Sequence, residues 1–291
     1  MQRLPLPDAL VTQARAYAAG DATPAEPRDA ATVVLMRPGA SGPDLYLLRR
    51  HTSMAFAGGM CVFPGGGVDP RDFDSVLTED GLVDRGLWAG PSPAEWATRL
   101  GCDEPKARAL VCAAVRETFE ESSVLLAGAG PTEVVADTTG DDWEADRVAL
   151  ESRELSLTAF LEKRSLVLRT DLLGAWSGWL TPVFEPRRYR TWFFVALLPE
   201  GQVTRDVSTE SSSVMWTGAL DAVAQVEEER ILMLPPTWLT CLEVGQYADP
   251  AAVLAASRER TVEMFMPEVV ADGEEFILST PPAYAALMAD R

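Results

Sequence analysis

The chain has 291 residues, of which 47% are hydrophobic and 24% charged, and its formal net charge is −19. This composition is typical of a globular protein with a substantial core, built as one elaborated domain or two small ones. The negative charge argues against non-specific nucleic-acid binding, because it repels phosphate backbones. No stretch approaches the roughly 18 consecutive apolar residues of a membrane span, and the N-terminus has no signal-peptide core, so we expect a cytoplasmic protein.

Scarce histidine and scattered cysteine exclude several chemistries. His51 is the only histidine, and the four cysteines show no C-x-x-C spacing. This argues against a zinc site and against Ser-His-Asp or Cys-His hydrolysis. A small anionic substrate would need local arginines or a metal ion to overcome the acidic field.

The first predicted elements are a helix and a hairpin. Residues Pro5 to Gly20 predict a helix, followed by a linker from Asp21 to Asp29, and we expect the helix to pack on the body or on the partner subunit of a homodimer. Apolar runs at Thr32–Arg37 and Leu45–Arg50 predict a hairpin with a longer loop, Pro38 to Pro43.

A strand end and a glycine-rich stretch follow. Arg49 and Arg50 stand where the second strand ends, a place that suits either ligand contact or an exposed edge charge. The stretch from Gly58 to Asp72 contains Gly65 and Gly66, where the backbone can approach a ligand without a Cβ in the way. It is neither a P-loop nor a dinucleotide fingerprint, and taken alone it is a turn.

The segment from Ser92 to Leu100 predicts a short helix that begins with a capping box and Pro93. We expect residues Gly101 to Pro105 to be non-helical and to separate this helix from the next one. The run Lys106 to Val115 is rich in helix-forming residues.

That next helix carries the most informative pattern of the chain. Glu117, Glu120 and Glu121 stand at i, i+3 and i+4, so their carboxylates share one face. The opposite, apolar face carries Val111, Val115 and Phe119. Clustered like charge is unfavourable unless a cation is present, and hard oxygen ligands select Mg²⁺ or Mn²⁺. The competing interpretation is an acidic, solvated helix face.

The rest of the chain alternates helices and strands. Asp141 to Arg164 predicts one or two helices, and Arg190 to Leu198 is the strongest strand pattern. Arg187 and Arg188 precede that strand and suit either phosphate binding or a solvated turn. The C-terminal part predicts three helices and two strands: Ala219–Glu229, Pro236–Tyr247, Ala251–Ser257, Thr261–Phe265 and Glu275–Leu278.

The glycine stretch and the glutamate helix together resemble the Nudix hydrolase family, whose box reads G-x5-E-x7-R-E-U-x-E-E-x-G-U with U aliphatic. The matching positions are Gly66, Arg116, Glu117, Glu120, Glu121 and Val124. Three departures from the pattern matter: Asp72 stands where the first glutamate belongs, Ser123 replaces the final glycine, and Phe73 to Val115 fills a gap that the usual box spans in seven residues.

A long insertion at this point is similar to the branch of coenzyme A and acyl-coenzyme A diphosphatases. Further segments resemble that branch: Leu47–Arg50, Phe63–Gly66, Trp179–Pro182, Pro186–Tyr189, Thr191–Phe194 and Leu234–Thr237. Arg190 differs, because the resemblance leads us to expect an acid there.

The resemblance implies an α/β fold, the Nudix α/β/α sandwich with a mixed sheet. We expect an N-terminal helix and linker over residues 1–29 and a single Nudix domain over residues 30–291. That domain would carry an insertion at about residues 73–104 and a helical C-terminal extension. The insertion would leave the two halves of the box adjacent, as a wall of the substrate cleft or as a plain surface excursion.

The resemblance also implies metal-dependent cleavage of a pyrophosphate bond. Glu117, Glu120 and Glu121 would bind Mg²⁺ or Mn²⁺, which activates water for attack on phosphorus. Arg116 would orient the carboxylates. Glu117 or Glu210 would accept the proton from water, although Glu210 is equally compatible with a loop carboxylate.

Substrate contacts are expected from both the arginines and the glycines: Arg49, Arg50, Gly65, Gly66, Arg187 and Arg188. The expected substrate is coenzyme A or acyl-coenzyme A. The alternatives are ADP-ribose or NADH-type dinucleotides, and a Nudix-like regulator that binds a ligand without turnover.

Overall fold

An eight-stranded mixed β-sheet forms the centre of the computed structural model, which describes residues 8–20, 23–54, 57–77, 82–83, 86–272 and 275–289. The strands of this sheet and of two small sheets are β1 Arg28–Gly39, β2 Gly42–Arg50, β3 Cys61–Val62, β4 Gly65–Gly67, β5 Trp88–Ala89, β6 Ala127–Gly128, β7 Val167–Arg169, β8 Leu173–Leu180, β9 Tyr189–Leu197, β10 Ser211–Gly218, β11 Met264–Phe265, β12 Val269–Asp272 and β13 Glu275–Leu278. The central order is β10-β2-β1-β9-β8-β11, with β3 on β2 and β4 on β1.

Helices cover both faces of this sheet. They are α1 Asp8–Ala18, α2 Pro70–Leu77, α3 Pro93–Leu100, α4 Glu104–Ser122, α5 Asp141–Glu151, α6 Leu157–Arg164, α7 Ala219–Glu227, α8 Pro235–Val244, α9 Pro250–Ser257 and α10 Pro282–Ala289. Buried side chains of α3 to α6 form one core with the sheet, and those of α7 to α10 form a second core on the other face. The predicted α/β/α sandwich with a mixed sheet is confirmed.

The first two strands diverge to admit the glycine-rich segment. β1 and β2 pair antiparallel from Met36 and Leu45 to the turn between Gly39 and Gly42. Farther from the turn, β3 pairs with β2 and β4 pairs with β1, so residues 61–67 lie between the two strands. The predicted long hairpin loop was wrong, because both strands continue to a tight turn in which Gly42 has φ +127°.

Strand β1 is buried on both faces. Side chains alternate along a strand, and here Val33 and Leu35 enter one core while Val34 and Met36 enter the other. This double burial accounts for a continuous apolar run instead of an alternating one. β1 also pairs in parallel with β9, so it lies inside the sheet between β2 and β9.

Helix α4 begins earlier than predicted. The Asp103 side chain accepts from the Lys106 N–H at 2.9 Å, and Pro105 lies in the first turn. Proline is tolerated there because the first helical N–H groups have no partner within the helix, so Pro105 starts the helix and does not interrupt it. Val115 and Phe119 are fully buried, as the helical spacing predicts.

The insertion contributes to the core and is not a plain surface excursion. It contains the end of α2, β5 and α3. The predicted capping box at Ser92 and Glu95 is present, with the Ser92 N–H donating to Glu95 Oε2 at 2.7 Å. Trp96 is fully buried, and Trp192 of β9 donates to the Leu100 carbonyl at 2.9 Å. The described part of the insertion therefore packs against both α4 and the sheet.

The C-terminal elements contact both the N-terminal helix and the central sheet. In α1 the Arg15 guanidinium lies 5.0 Å from the ring centre of Phe276 in β13. Tyr284 of α10 lies 6.0 Å from Trp179 of β8, ring centre to ring centre. Sequence patterns predicted neither α10 nor β8. Among the described residues, no helix is both long enough and apolar enough to span a bilayer.

Candidate active site

The glycine-rich turn lies directly on the carboxylates of α4. The Gly65 N–H donates to Glu121 Oε2 at 2.7 Å. A Cβ added at Gly66 would lie 2.5 Å from Glu117 Oε1. Glycine alone permits this approach, so these two glycines seat the glutamates.

Arg116 joins the two halves of the motif across the insertion. Its Nε and Nη2 donate to Oδ1 and Oδ2 of Asp72 at 3.0 and 2.9 Å. Its Nη1 donates to Glu117 Oε1 at 2.8 Å and to the two Glu120 oxygens at 3.2 and 3.1 Å. Nη2 also donates to the Gly67 carbonyl at 3.1 Å. One guanidinium thus holds three carboxylates, and Asp72 takes its place in this set despite being shorter than glutamate.

Burial makes the cluster electrostatically unusual. Burial raises the pKa of Glu120 to about 7, although Arg116 opposes the shift. Burial, followed by the charge of Glu117, raises the pKa of Glu121 well above its ordinary value. Burial also raises the pKa of Glu117. For Arg116, burial lowers the pKa, but the surrounding carboxylates outweigh it and the net shift is upward.

The donor set suits a hard divalent cation. Three carboxylates contact the Arg116 guanidinium, and a fourth, Glu121, is held by the Gly65 N–H. Carboxylate oxygens are the ligands that Mg²⁺ and Mn²⁺ prefer. Buried negative charge in such excess is unfavourable unless a cation offsets it. Among the described residues, no three His, Cys, Asp or Glu side chains already form a metal cage. The cluster therefore fits a metal in ligand type and charge, while Arg116 and Gly65 engage its oxygens in this arrangement.

Glu210 precedes β10 and lies near the same cluster. Its Oε2 accepts from Arg50 Nη2 at 2.9 Å, and its carbonyl accepts from the His51 N–H at 3.1 Å. After burial and nearer groups, its charge also raises the pKa of Glu117 and Glu121. The side chain is 53% exposed. The structure thus brings the predicted loop glutamate to the exposed side of the acidic cluster.

The two arginines at the end of β2 differ in their exposure and in the hydrogen bonds that they make. Arg49 is exposed and donates from Nε to the Gly59 carbonyl at 3.3 Å. Arg50 pairs with Glu210, yet its Nε is buried and has no hydrogen-bond partner within the described ranges. Arg50 therefore retains an unused donor beside the carboxylates.

The second arginine pair lies in the connection between β8 and β9. Arg187 is exposed. Arg188 is buried and donates to the carbonyls of Thr181 and Ala25, each at 3.0 Å, and to Met266 Sδ at 3.6 Å. These contacts tie the segment before β1 to the C-terminal part. They do not bring Arg188 to the α4 carboxylates.

Ser123, where the family pattern has glycine, fits the end of α4. Its φ and ψ are 62° and 11°, the left-handed conformation that glycine favours, and its N–H donates to the Phe119 carbonyl at 2.9 Å. The Ser123 hydroxyl accepts from Arg205 Nε at 3.1 Å. Thr138 Oγ1 donates to the Ser123 carbonyl at 2.7 Å. Side-chain contacts thus support a conformation that costs serine more than glycine.

Sequence reasoning missed a set of charged residues beside this helix end. Arg147 of α5 is buried and donates from Nη1 to the Glu120 carbonyl at 2.8 Å. The spacing of Glu144, Arg147 and Glu151 at i, i+3 and i+7 was a detectable sign of ion pairs within one helix. Its connection to α4 depends on tertiary packing, which local spacing does not encode.

Comparison with known proteins places this architecture among its relatives. A model of the family described as the NUDT19 Nudix domain matches residues 27–243. A Xenopus laevis relative named acyl-coenzyme A diphosphatase NUDT19 is 25% identical over 266 residues, which cover 82% of this chain and 70% of the relative. The Homo sapiens protein of that name is 28% identical over 240 residues, which cover 72% of this chain and 63% of that protein. The crystal structure of a NUDIX hydrolase from Alicyclobacillus acidocaldarius is similar with a TM-score of 0.67 and 23% identity, over 82% of this chain and 98% of that one.

A sandwich of this topology with a glycine turn seated on a glutamate helix defines a Nudix hydrolase, an enzyme that cleaves pyrophosphate linkages of small molecules. Within that class, the chain belongs to the NUDT19 Nudix domain family. The predicted family resemblance is confirmed, and the alternative of a regulator without turnover is set aside. Nudix hydrolases generally use divalent metals, which agrees with the donor set of α4.

Proposed function

We propose that this enzyme hydrolyses the diphosphate linkage of coenzyme A or acyl-coenzyme A with the help of Mg²⁺ or Mn²⁺. The observation that carries the proposal is the buried cluster of α4 carboxylates beneath Gly65 and Gly66. The choice of substrate is supported by the relatives from Xenopus laevis and Homo sapiens, which are named acyl-coenzyme A diphosphatases.

Glu117, Glu120 and Glu121 would hold the metal. When bound, the ion would neutralise the diphosphate and lower the pKa of a water molecule. Arg116 orients Glu117 and Glu120 through its hydrogen bonds, and the Gly65 N–H orients Glu121. These restraints reduce the reorganisation needed for binding, because the carboxylates already occupy fixed positions.

Two residues are candidates to take the proton from the attacking water. Glu117 is held by Arg116 inside the cluster. Glu210 lies at its exposed side, where water has access, and Arg50 holds its carboxylate. Attack forms a new P–O bond, and the anhydride P–O bond breaks with the second phosphate as the leaving group. From coenzyme A this yields 3′,5′-ADP and 4′-phosphopantetheine.

Arginines would supply the positive charge that an acidic protein needs to bind a polyanion. Arg50 is the first choice, because its buried Nε has no partner in the described structure and lies beside the carboxylates. Arg49 is exposed on the same strand end, and Arg187 is exposed on the β8–β9 connection. Arg188 is already engaged by three protein acceptors, so we assign it to holding the N-terminal segment.

The test is product analysis with the intact protein and either Mg²⁺ or Mn²⁺. Coenzyme A, acyl-coenzyme A, NADH and ADP-ribose are compared, and the products are separated by chromatography. We expect preferred cleavage of the coenzyme A compounds, which is lost in Glu120→Gln and Glu121→Gln. Glu154→Gln, at an exposed glutamate after α5, is the matched control. Preference for NADH or ADP-ribose would support the alternative substrates instead, and no cleavage of any diphosphate would overturn the proposal.

A further inference from the structure

A network of ion pairs joins α5 to the end of α4. Arg147 lies at its centre, with a side chain only 4% exposed. It donates to Glu144 Oε1 at 2.7 Å, to Glu151 Oε2 at 2.9 Å and to the Glu120 carbonyl at 2.8 Å. One buried guanidinium thus fixes two α5 carboxylates and grips the backbone of a proposed metal ligand.

Arg205 extends the network to the connection that leads into β10. Its guanidinium donates to Glu144 Oε2 and, from Nε, to Ser123 Oγ at 3.1 Å. Its backbone N–H donates to the Ser122 carbonyl at 3.0 Å, and its own carbonyl accepts from Tyr46 Oη at 3.0 Å. Main chain and side chain therefore both anchor this position to the end of α4.

The same network holds the chain immediately before Glu210. Glu151 Oε1 accepts from Thr209 Oγ1 at 2.7 Å and from the Thr209 N–H at 3.3 Å. Glu151 uses its other oxygen for Arg147. An unbroken set of contacts thus runs from the Glu120 backbone through Arg147 and Glu151 to the neighbour of Glu210.

We propose that Glu144, Arg147, Glu151 and Arg205 form a positioning clamp that sets Glu210 at its working position opposite the α4 carboxylates. This inference rests on the proposed function, in which Glu210 serves the reaction. The clamp is a positioning device: at one end it holds the Glu120 carbonyl, and at the other it holds the hydroxyl and the N–H of Thr209.

The exposure of Glu210 explains why such a device is needed. Half of its side chain faces solvent, so packing does not define its position. Small displacements of a reacting group are costly, because a shift of about 1 Å can lower a rate about 100-fold. The contacts of Thr209 and Arg205 supply restraint that the loop does not have by itself. Because the other end of the clamp contacts α4, the clamp limits the movement of Glu210 relative to Glu120.

Thr209→Val is the sharpest test, because it removes only the hydroxyl that contacts Glu151. Thr209 is exposed, so the substitution buries no new group. We expect kcat with coenzyme A to fall about fivefold, as for the loss of one hydrogen bond, with KM unchanged. Thr209→Ser keeps the hydroxyl and should retain the parent kcat. Thr132→Val, on the exposed connection after β6, is the matched control.

A double-mutant cycle separates positioning from a general structural effect. In the Glu210→Gln background, Thr209→Val should cause no further loss of kcat, because there is no longer a carboxylate to position. Equal losses in both backgrounds would overturn the clamp, as would a change confined to KM. Parent-like kcat in Glu210→Gln would overturn it as well.

Hydrogen exchange tests the clamp independently of substrate. In Glu151→Gln, the amides of residues 205–212 and of His51 should exchange faster, because the restraint on Thr209 is weakened. Glu154→Gln should leave these rates unchanged. If the exchange rates are unchanged in Glu151→Gln, the clamp is overturned whatever the activity. If the intact protein shows no turnover but exchange in Glu151→Gln is faster as expected, only the proposed function is overturned.

Discussion

The two sides of the active site are built in opposite ways. On the α4 side, Arg116 and Glu120 are almost fully buried, and the guanidinium makes six hydrogen bonds to carboxylate and carbonyl oxygens. On the β2–β10 side, Glu210 is half exposed and pairs with Arg50. Buried contacts hold the first side in place, while a clamp reaching from α5 holds the second.

This difference separates two requirements of the chemistry. A cation site gains from burial, because charges interact more strongly where water is excluded. A group that meets water and substrate must stay accessible, and exposed ion pairs are weak restraints. Substitutions on the α4 side should therefore affect stability and metal binding together, while those on the β2–β10 side should affect turnover with little loss of stability.

The largest effect is expected from removing Arg116. Arg116→Met leaves Asp72, Glu117 and Glu120 buried without their shared cation, and loss of one partner of a buried ion pair typically costs about 3–5 kcal/mol. We expect a corresponding fall in the free energy of unfolding, measured by urea denaturation at pH 7 in the presence of EDTA.

Arg116→Lys is the informative companion. Lysine retains the charge but lacks the planar fork that reaches Asp72 with two nitrogens, so an intermediate loss is expected. Glu210→Gln, on the exposed side, should change the free energy of unfolding by less than about 1 kcal/mol. Equal stability of Arg116→Met and the parent protein would contradict the role of Arg116 as the residue that holds Asp72, Glu117 and Glu120.

The next effect is a pH dependence of the metal-free protein. Burial raises the pKa of Glu120 in the folded state to about 7, from its ordinary value of 4.5. Between these values the Glu120 carboxyl is more protonated in the folded state than in the unfolded state, so its contribution to stability is fully present below about pH 4.5 and is lost as the pH rises through 7. The Glu120 contribution to this decline is at most about 3 kcal/mol.

Glu120→Gln isolates this contribution, because glutamine does not titrate. Relative to the variant, the metal-free parent should lose stability from pH 5 to pH 8, as followed by thermal unfolding in EDTA. Adding Mg²⁺ at pH 8 should recover stability in the parent more than in the variant. A parent-to-variant difference that stays constant with pH would rule out the raised pKa of Glu120.

A smaller effect is expected from crowding the glycine turn. Gly66→Ala places a Cβ about 2.5 Å from Glu117 Oε1, so the carboxylate or the turn must shift. Overpacking of this kind typically costs about 1–3 kcal/mol. Gly67→Ala is the matched control, since a Cβ there meets no heavy atom within 4 Å. Both thermal stability and Mg²⁺ affinity should fall in Gly66→Ala only, and equal behaviour of the two variants would contradict the close seating of Glu117.

Local patterns predicted the elements whose information is local. The periodicity of Val111, Val115 and Phe119 predicts the buried face of α4, and the Ser92 capping box predicts the start of α3. Both agree with the structure because capping and amphipathic packing depend on residues within a few positions of each other. Pro105 was misread because proline ends a helix in its interior and starts one in its first turn.

Residue spacing does not predict contacts between residues that are far apart in the sequence. Asp72 and Arg116 are separated by the whole insertion, yet they form the bidentate pair that joins the two box halves. Arg188 shows the opposite case: its sequence context suits phosphate binding, while in the fold its guanidinium donates to the carbonyls of Thr181 and Ala25. Arg147 lies outside the motifs described above, and only the packing of α5 on α4 shows its contact with the Glu120 carbonyl.

The smallest expected effect concerns Ser123, and it rests on a balance of two terms. Ser123→Gly relieves the left-handed strain, by about 1–2 kcal/mol, but removes the hydroxyl that accepts from Arg205, which costs about 1 kcal/mol. Ser123→Ala loses the same contact and keeps the strain. We therefore expect Ser123→Gly to unfold near the parent midpoint and Ser123→Ala to be less stable by about 1 kcal/mol, measured by urea denaturation. Only the folded state requires the αL conformation at residue 123. If Ser123 caps α4, the glycine variant is therefore more stable than the alanine variant, and the reverse order of stability would show that the helix ends differently.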